Sequence, residues 1–214
     1  MVFTSPPYND YGKDTKFEVG KYYHCKYEYV EVRDDWLEWQ IECIDEMMRV
    51  AKRCVIYNIQ AIKNNQSDVY KLIGHYADKI AKLIVWYKPN AQPQPYAHRM
   101  GNSYEFVIIF KGQKFTTITT KSENYTNVIV QNSNSNHDYS DKHRALMSQS
   151  FSNEIIREFT KDGETVLDCF MGLATTGISC VEYNRDFIGI EIHEPYFKIA
   201  QKRMEDEVAQ FRMF

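Results

Sequence analysis

The strongest pattern in this sequence is the run Thr165-Val166-Leu167-Asp168-Cys169-Phe170-Met171-Gly172-Leu173-Ala174-Thr175-Thr176-Gly177. Residues typical of a strand end at Asp168, and a loop that contains Gly172 leads into residues typical of a helix. A glycine lets the backbone approach a ligand closely, and the first turn of a helix offers free N–H groups. The run therefore predicts a strand–loop–helix unit that can hold a ligand, with a purely structural turn as the alternative.

A second acidic residue, Glu191, strengthens the prediction of a ligand. It ends the next predicted strand, Phe187-Ile188-Gly189-Ile190-Glu191, and lies 23 residues after Asp168. At about this spacing, an acidic residue in a dinucleotide-type fold accepts hydrogen bonds from ribose hydroxyls. The GxGxxG pattern of nicotinamide enzymes is absent from the loop. The pattern thus indicates an adenosine-bearing ligand of another kind, beside Phe170 and the two threonines.

Outward from this unit, helix-type and strand-type patterns alternate along the chain. Apolar residues recur at helical spacing in 34–53, where Asp34 or Asp35 can cap the helix. Ser67 and Ser152 are candidate caps of two further helices, the second over 151–159, and a last helix is predicted over 194–208. Continuous apolar runs predict buried strands at 54–59, 82–86 and 104–110. We predict an α/β fold with a largely parallel sheet and helices on both faces.

Composition limits the class of protein. The chain has 214 residues, of which 43% are hydrophobic and 26% charged, which fits one globular domain. No apolar run approaches the roughly 18 residues that span a bilayer, and no signal-peptide pattern is visible. The five cysteines include no CxxC pair, which argues against a disulfide framework and a structural zinc site. A reducing intracellular compartment and no metal ligands are predicted.

The net charge of −3 hides an asymmetry along the chain. From Arg49 to Lys121, twelve basic residues face three acidic ones, so this segment carries +9 and the rest of the chain carries −12. A segment this basic can attract a phosphate backbone in a protein that is acidic overall. Solvated helix faces are the alternative interpretation of the same charges.

The N-terminal motif Thr4-Ser5-Pro6-Pro7-Tyr8 has the chemistry to bind an amine. Two successive prolines fix the backbone and present carbonyl oxygens beside the Ser5 hydroxyl and the Tyr8 ring. Acceptors of this kind can hold the N–H hydrogens of an exocyclic base amine, and an aromatic ring can stack on a base flipped from a duplex. A flexible tail, or a ligand for a peptide-binding domain, is the alternative.

With both motifs present, the sequence resembles the S-adenosylmethionine-dependent DNA amino-methyltransferases that act on cytosine N4 or adenine N6. The order of the motifs resembles the beta class, in which the catalytic motif precedes the cofactor motif. The likeness covers most of the chain, including the segments Trp86-Tyr87-Lys88-Pro89, Glu105–Lys111, His143-Arg144-Ala145 and the strand and helix from Phe187 to Arg203. The resemblance implies a Rossmann-like methyltransferase fold.

The resemblance also implies roles for individual residues and for the parts of the chain. Residues 1–111 would be a catalytic half, 142–214 a cofactor-binding half, and the polar stretch 112–141, with an exposed loop at 131–140, a short target-recognition region. The target amine and base would be held by Ser5, Pro6, Pro7 and Tyr8. S-adenosylmethionine would be bound by Asp168, Phe170, Gly172, Thr175, Thr176 and Glu191. Ser5 favours cytosine as the target, although the motif occurs with both bases.

The implied partners are double-stranded DNA, in a cleft lined by the +9 segment, a second copy of the chain, and a cognate restriction enzyme. The expected compartment is the cytoplasm of a prokaryote, with a phage-encoded protein as a variant. None of the five cysteines follows a proline, as the nucleophile of cytosine-C5 methyltransferases does. Direct attack by an amine needs no covalent intermediate, so catalysis would depend on proximity and orientation.

Three departures from the family pattern support a competing prediction. Cys169 and Ala174 replace a proline and a glycine of the cofactor loop, and Ser148 replaces a frequent proline. If position 174 needs a positive φ, alanine there adds strain on the order of 1 kcal/mol. The chain also begins only three residues before Thr4, which suggests a truncated N-terminus. The alternative is a catalytically impaired remnant that binds DNA or cofactor without turnover. A third hypothesis is methylation of an RNA or a protein side chain.

Overall fold

The computed structural model describes residues 1–9, 33–91, 101–115, 119, 125–133, 139 and 146–211. In these ranges, strands and helices alternate as the sequence predicts, except that β3, β4 and β5 follow one another with no described helix between them. The strands are β1 (Val2–Thr4), β2 (Cys54–Ile59), β3 (Ile80–Tyr87), β4 (Tyr104–Lys111), β5 (Val128–Val130), β6 (Thr165–Asp168) and β7 (Asp186–Gly189). The helices are α1 (Trp36–Val50), α2 (Gln66–His75), α3 (Gln149–Phe159), α4 (Thr175–Glu182) and α5 (Glu194–Phe211).

The strands form one sheet in the order β5-β3-β4-β2-β1-β6-β7. β1 pairs in parallel with β2 and with β6, and β6–β7 and β3–β5 are also parallel. β4 runs antiparallel to its neighbours β2 and β3. The carboxyl ends of β1, β2, β3, β6 and β7 therefore meet at one edge, together with the amino end of β4. Ligands of open α/β sheets bind at this kind of edge.

Apolar residues cover both faces of the sheet, as the continuous hydrophobic runs predict. On one face, Tyr57 and Phe110 pack with Trp36 and Ile44 of α1 and with residues of α2. On the other face, Phe3 and Trp86 pack against Phe151 of α3, and Cys180 of α4 joins the same cluster. Burial on both faces explains why the strands lack polar alternation. The predicted α/β class is confirmed.

The observed helix starts correct two of the predicted caps. α2 begins after Asn65, because the Asn65 side chain accepts a hydrogen bond from Ile62 N at 2.7 Å and so closes the preceding loop. α3 begins after Ser148, whereas Ser152 is buried inside the helix and accepts a hydrogen bond from the Ser179 hydroxyl. Asp35 does precede α1, but its side chain makes no cap hydrogen bond.

Further differences concern strand ends and one missed strand. β7 ends at Gly189, so Glu191 follows the strand instead of ending it. The predicted polar stretch 112–141 contains β5, which pairs with Val85–Tyr87 of β3 and buries Ile129. All three residues of β5 are apolar and β-branched, but the run is only three residues long and lies within a polar stretch, so the sequence analysis missed it. Most of the predicted loop 131–140, and His143-Arg144-Ala145, lie outside the described residues. None of the described helices combines the length and hydropathy that crossing a membrane requires.

Candidate active site

The Thr-Ser-Pro-Pro-Tyr motif lies at the carboxyl edge of the sheet. β1 lies between β2 and β6, so Thr4 ends beside Tyr57 and near the end of β6. The chain that follows is held from two sides. The Pro7 carbonyl accepts a hydrogen bond from Trp36 Nε1 at 3.0 Å, and the Tyr8 carbonyl accepts one from Asn65 Nδ2 at 2.8 Å. Two prolines and two anchored carbonyls make this loop rigid.

The Tyr8 side chain points its hydroxyl into the protein. Its Oη shares a hydrogen bond of 2.9 Å with Ser5 Oγ and donates to Glu105 Oε2 at 2.9 Å. Asn58 Nδ2 also donates to Tyr8 Oη, at 3.1 Å. Burial and the adjacent Glu105 carboxylate raise the pKa of Tyr8 well above its ordinary value, so the hydroxyl stays protonated. Ser5, Pro7 and Tyr8 are partly exposed, while Pro6 is buried.

A buried ion pair lies beneath Tyr8. Lys88 Nζ donates to Glu105 Oε1 at 2.8 Å, and both side chains are only 10% exposed. Asn58 Nδ2 donates to Glu105 Oε2 at 2.6 Å. The Lys88 ammonium also lies 5.5 Å from the centre of the Trp86 ring, within the range of a cation–π contact. We call Ser5, Tyr8, Asn58, Lys88 and Glu105 the amine-side network.

The sheet topology explains this convergence. Lys88 follows the end of β3, Glu105 is the second residue of β4 and lies opposite Trp86, and Asn58 is near the end of β2. Because β4 is antiparallel, its amino end reaches the same edge as the carboxyl ends of the other two strands. The prediction of site residues missed these three. A signal was present, since Glu105 and Asn58 are polar residues within otherwise apolar strand runs.

Asp168 connects the N-terminal motif to the glycine-containing loop. It is 2% exposed, and its Oδ1 accepts hydrogen bonds from Thr4 Oγ1 at 2.6 Å and Phe170 N at 3.1 Å. Its Oδ2 accepts from Thr176 Oγ1 at 2.7 Å. Burial raises the pKa of Asp168 to about 6, against the opposing effect of these donors. The two predicted motifs, 164 residues apart, are therefore in direct contact.

The loop after Asp168 contains two residues with positive φ. Gly172 has φ 52°, and Ala174, just before α4, has φ 62°. The left-handed conformation anticipated for Ala174 is thus present, with its cost on the order of 1 kcal/mol. Glu191 closes the loop, because its Oε2 accepts from Gly172 N at 2.9 Å and its Oε1 accepts from His193 N at 2.8 Å.

The remaining predicted residues of the loop differ in their surroundings. Thr175 and Thr176 are buried at the start of α4. Thr176 donates to Asp168, whereas the Thr175 hydroxyl has no hydrogen-bond partner among the described residues. Phe170 is partly buried and meets the Trp39 ring edge-on at 5.7 Å. A buried hydroxyl without a partner is unusual in a folded protein, and a bound ligand is one way to satisfy it.

A cavity of about 250 Å³ lies between α1 and β6. Its lining is mostly apolar and consists of Cys43, Glu46, Met47, Val50, Leu167, Cys169 and Phe170. None of the amine-side network contributes to it, and its α1 residues come from the half of the helix remote from Trp36. We assign no ligand to this cavity.

Ion pairs cancel part of the basic segment's charge. In the part of the chain that the structure describes, five of the twelve basic residues pair with carboxylates: Arg49 with Glu46, Arg53 with Glu164, Lys71 with Asp68, Lys79 with Asp45, and Lys88 with Glu105. Three of these carboxylates lie outside the segment in sequence. Lys88 is buried, so it is not available to a phosphate. The +9 therefore overstates the positive charge that the segment presents to solvent.

The fold and the two motifs at one edge of its sheet define the class: a Rossmann-like methyltransferase. Residues 1–202 match the model of the N6/N4 methyltransferase family, described as DNA methylase, and the chain belongs to this family. The type II methyltransferase M.SmaI of Serratia marcescens is 30% identical over 131 residues, which are 56% of this chain and 44% of that protein. The chain thus spans less than half the length of this relative.

Solved structures agree on the fold. The crystal structure of the M1.HpyAVI–SAM complex superposes with a TM-score of 0.63 and 24% identity, over 95% of this chain and 87% of that one. The cytosine-N4-specific PvuII DNA methyltransferase superposes with a TM-score of 0.65 and 17% identity, over 98% and 84% of the two chains. The predicted family and fold are both confirmed.

Proposed function

We propose that this chain transfers a methyl group from S-adenosylmethionine to the exocyclic amine of cytosine (N4) or adenine (N6) in double-stranded DNA, on a base flipped from the duplex. The observation that carries the proposal is the 2.6 Å hydrogen bond from Thr4 Oγ1 to Asp168 Oδ1. It holds the proposed amine-binding motif against the proposed cofactor loop. Methyl transfer between two bound molecules needs this proximity more than any covalent step.

The residues around Asp168 fit S-adenosylmethionine. The Thr175 hydroxyl is buried without a partner among the described residues. Gly172 takes a left-handed conformation and has no side chain, so the loop backbone can approach a ligand closely. Asp168 and Glu191 place carboxylate oxygens at the same edge, suitable for ribose hydroxyls and for a cationic ligand. We therefore assign cofactor binding to Asp168, Phe170, Gly172, Thr175, Thr176 and Glu191. When bound, S-adenosylmethionine supplies an electrophilic methyl group on a sulfonium.

On the amine side, the chain supplies acceptors and a stacking surface. We assign this role to Ser5, Pro6, Pro7 and Tyr8. Ser5 is partly exposed and accepts an amine N–H, which directs the nitrogen lone pair away from the base ring. The Tyr8 hydroxyl is held inside by Glu105, so the partly exposed ring presents its face to a flipped base. Neither step requires a metal or a nucleophilic side chain.

The competing function, a remnant that binds without turnover, has two grounds, the short N-terminus and the strain at Ala174, and the structure bears on the second. The cost of a left-handed alanine, about 1 kcal/mol, is small beside the 5–15 kcal/mol that typically stabilises a domain. The loop keeps its hydrogen bond from Gly172 N to Glu191 Oε2 at 2.9 Å despite the alanine. The geometry of this loop therefore supports the proposal of an active enzyme.

The proposed partners follow from the same function. The relative M.SmaI is a type II methyltransferase, which supports a role in modifying DNA beside a restriction enzyme in a prokaryotic cytoplasm. Residues 112–141, between the two proposed halves 1–111 and 142–214, are our candidate for target recognition. A homodimer remains a further proposal, and size-exclusion chromatography with light scattering tests it.

Two measurements test the function. Calorimetry measures the affinity for S-adenosylmethionine, and a labelled methyl group from the same compound reports transfer to unmethylated bacterial DNA at low salt. We expect binding and incorporation, with the label found in N4-methylcytosine or N6-methyladenine after digestion to nucleosides. Binding without incorporation on any DNA would support the remnant. No binding would overturn both, and label in RNA or protein alone would support the third hypothesis.

A further inference from the structure

We infer that the buried Lys88–Glu105 pair is a positioning device that fixes the direction of the hydrogen bonds in the amine-side network, so that the Ser5 hydroxyl donates inward and turns its lone pairs towards the target amine. The inference deepens the proposed function and rests on it. It gives Lys88, Glu105 and Asn58 a role in the reaction although they lie behind the proposed contact residues.

The order of donors and acceptors in the network is set first at Lys88. An ammonium group can only donate, and Lys88 Nζ donates to Glu105 Oε1 at 2.8 Å in a site where both side chains are nine-tenths buried. A cation at this distance favours the ionised form of the carboxyl group. Removing one partner of a buried pair leaves a costly unpaired charge. Glu105 is therefore a carboxylate, which can only accept hydrogen bonds.

Tyr8 takes its direction from Glu105. Because Glu105 only accepts, the 2.9 Å contact from Tyr8 Oη to Glu105 Oε2 uses the single proton of the phenol. The Asn58 amide strengthens this arrangement, since its Nδ2 donates to both Glu105 Oε2 and Tyr8 Oη. With its proton used, Tyr8 Oη can only accept from the remaining neighbour, Ser5.

Ser5 completes the chain of hydrogen bonds. It shares a 2.9 Å hydrogen bond with Tyr8 Oη, and by elimination Ser5 is the donor. Its proton then points into the protein, and its two lone pairs remain for an N–H outside. If Tyr8 donated to Ser5 instead, the Ser5 proton would point at the target nitrogen. It would then occupy the lone pair that must attack the methyl group. The buried pair thus selects the productive direction, and it favours an amine over a carbonyl at the target position.

The titratable groups that face Glu105 are few among the described residues. Lys88 approaches from the end of β3 and Tyr8 from the loop after β1, while β2 contributes the neutral amide of Asn58. Tyr57 of β2 acts on Tyr8 from further away. Without Lys88, no described cation pairs with Glu105, so Oε1 loses the donor that holds it and the direction of the hydrogen bond to Tyr8 is no longer fixed.

The test compares Lys88→Met, Lys88→Arg and Glu105→Gln with Lys161→Met, a control at an exposed lysine between α3 and β6, outside the basic segment. Initial rates of labelled methyl incorporation into unmethylated bacterial DNA are measured at neutral pH, and S-adenosylmethionine affinity is measured by calorimetry. We expect Lys88→Met to lose roughly tenfold to a hundredfold in kcat at neutral pH, as with other groups that orient a contact residue. Its cofactor affinity should be unchanged.

The other variants separate a positioning role from a structural one. Lys88→Arg keeps the charge and should restore most of the rate, and Lys161→Met should match the wild type. Glu105→Gln has an amide that can also donate, so it should lose kcat as Lys88→Met does. A Lys88→Met enzyme with wild-type kcat, or with a loss that Lys88→Arg shares in full, would overturn the inference. If Lys88→Met does not fold, the pair Lys88→Arg and Glu105→Gln decides between the same outcomes.

A spectroscopic readout keeps the inference distinct from the proposed function. If the wild type transfers no methyl group to DNA, the proposed function fails, and infrared difference spectra still report the state of Glu105. Because Glu105 accepts from Lys88 and Asn58, we expect no C=O stretch of a protonated Glu105 in the wild type, and therefore no loss of such a band in Glu105→Gln. The same band in the wild type, lost in Glu105→Gln, would overturn the inference whatever the activity.

Discussion

Replacing Asp168 with asparagine should stabilise the unliganded protein at neutral pH while weakening cofactor binding. Asp168 is almost fully buried, and burial raises its pKa from the ordinary 3.8 to about 6. Asparagine has the same shape and no charge. Its oxygen can keep the contacts with Thr4 and Phe170, and its amide can donate to Thr176. The substitution therefore removes the cost of a buried charge without leaving a cavity.

The magnitude follows from the pKa shift. A rise of about two units at about 1.4 kcal/mol per unit corresponds to about 3 kcal/mol. Because the folded state has the higher pKa, it binds more protons than the unfolded state between about pH 4 and about pH 6. The free energy of unfolding of the wild type should therefore fall as the pH rises through this window. The free energy of unfolding of Asp168→Asn should not fall in this way, because asparagine does not titrate.

The assay is urea unfolding of both proteins at several pH values, with Asp186→Asn as a control at an exposed aspartate of β7. The difference between Asp168→Asn and the wild type should grow by about 3 kcal/mol from pH 4 to pH 7. The control should follow the wild type. If the difference stays flat or changes sign, the three donors outweigh burial and the reasoning is wrong. Calorimetry on Asp168→Asn should show weaker binding of S-adenosylmethionine.

Three more predictions concern the loop, the core and the assigned roles. Ala174→Gly should keep the free energy of unfolding in urea within about 1 kcal/mol of the wild type, because relief of the left-handed strain is offset by the lost buried methyl group. Ala174→Val should lower the same free energy by at least about 2 kcal/mol. A stable valine variant would contradict the observed φ of 62° at Ala174. Trp86 stacks on Phe151 at 4.1 Å, so Trp86→Ala should cost about 3–5 kcal/mol in the same assay, and a cost below about 1 kcal/mol would refute its place in the core. Tyr8→Ala should lower kcat more than cofactor affinity, and Glu191→Ala should do the reverse in calorimetry and methyl transfer; the opposite pattern would exchange the two roles.

Local sequence was sufficient for the elements and for the family. β2, β3, β4 and β6 follow from continuous apolar runs, because a strand buried on both faces has no polar alternation to obscure it. The loop from Asp168 to Ala174 is contiguous in sequence, so its strand, glycine and helix start could be predicted together. The short strand β5 was missed, since three apolar residues within a polar stretch are too few to show a period.

The amine-side network could not be predicted in the same way. Glu105 contacts Tyr8 from 97 residues away, and Asn58 from 47 residues away. Their meeting depends on β4 running antiparallel between β3 and β2, which no local propensity specifies. The charge of the basic segment shows the same limit. The excess of positive charge in the segment can be counted from the sequence. The pairing of Arg53 with Glu164 cannot, because it depends on which elements become neighbours in the fold.

The sequence by itself therefore determined the α/β class, the two motifs and the family, because hydrophobic periodicity and contiguous loops act between residues that are close along the chain. Only the tertiary structure decided that Thr4 contacts Asp168 and that Lys88 and Glu105 lie beneath Tyr8. Those contacts join residues from different strands, and the order and direction of strand pairing in one sheet set them.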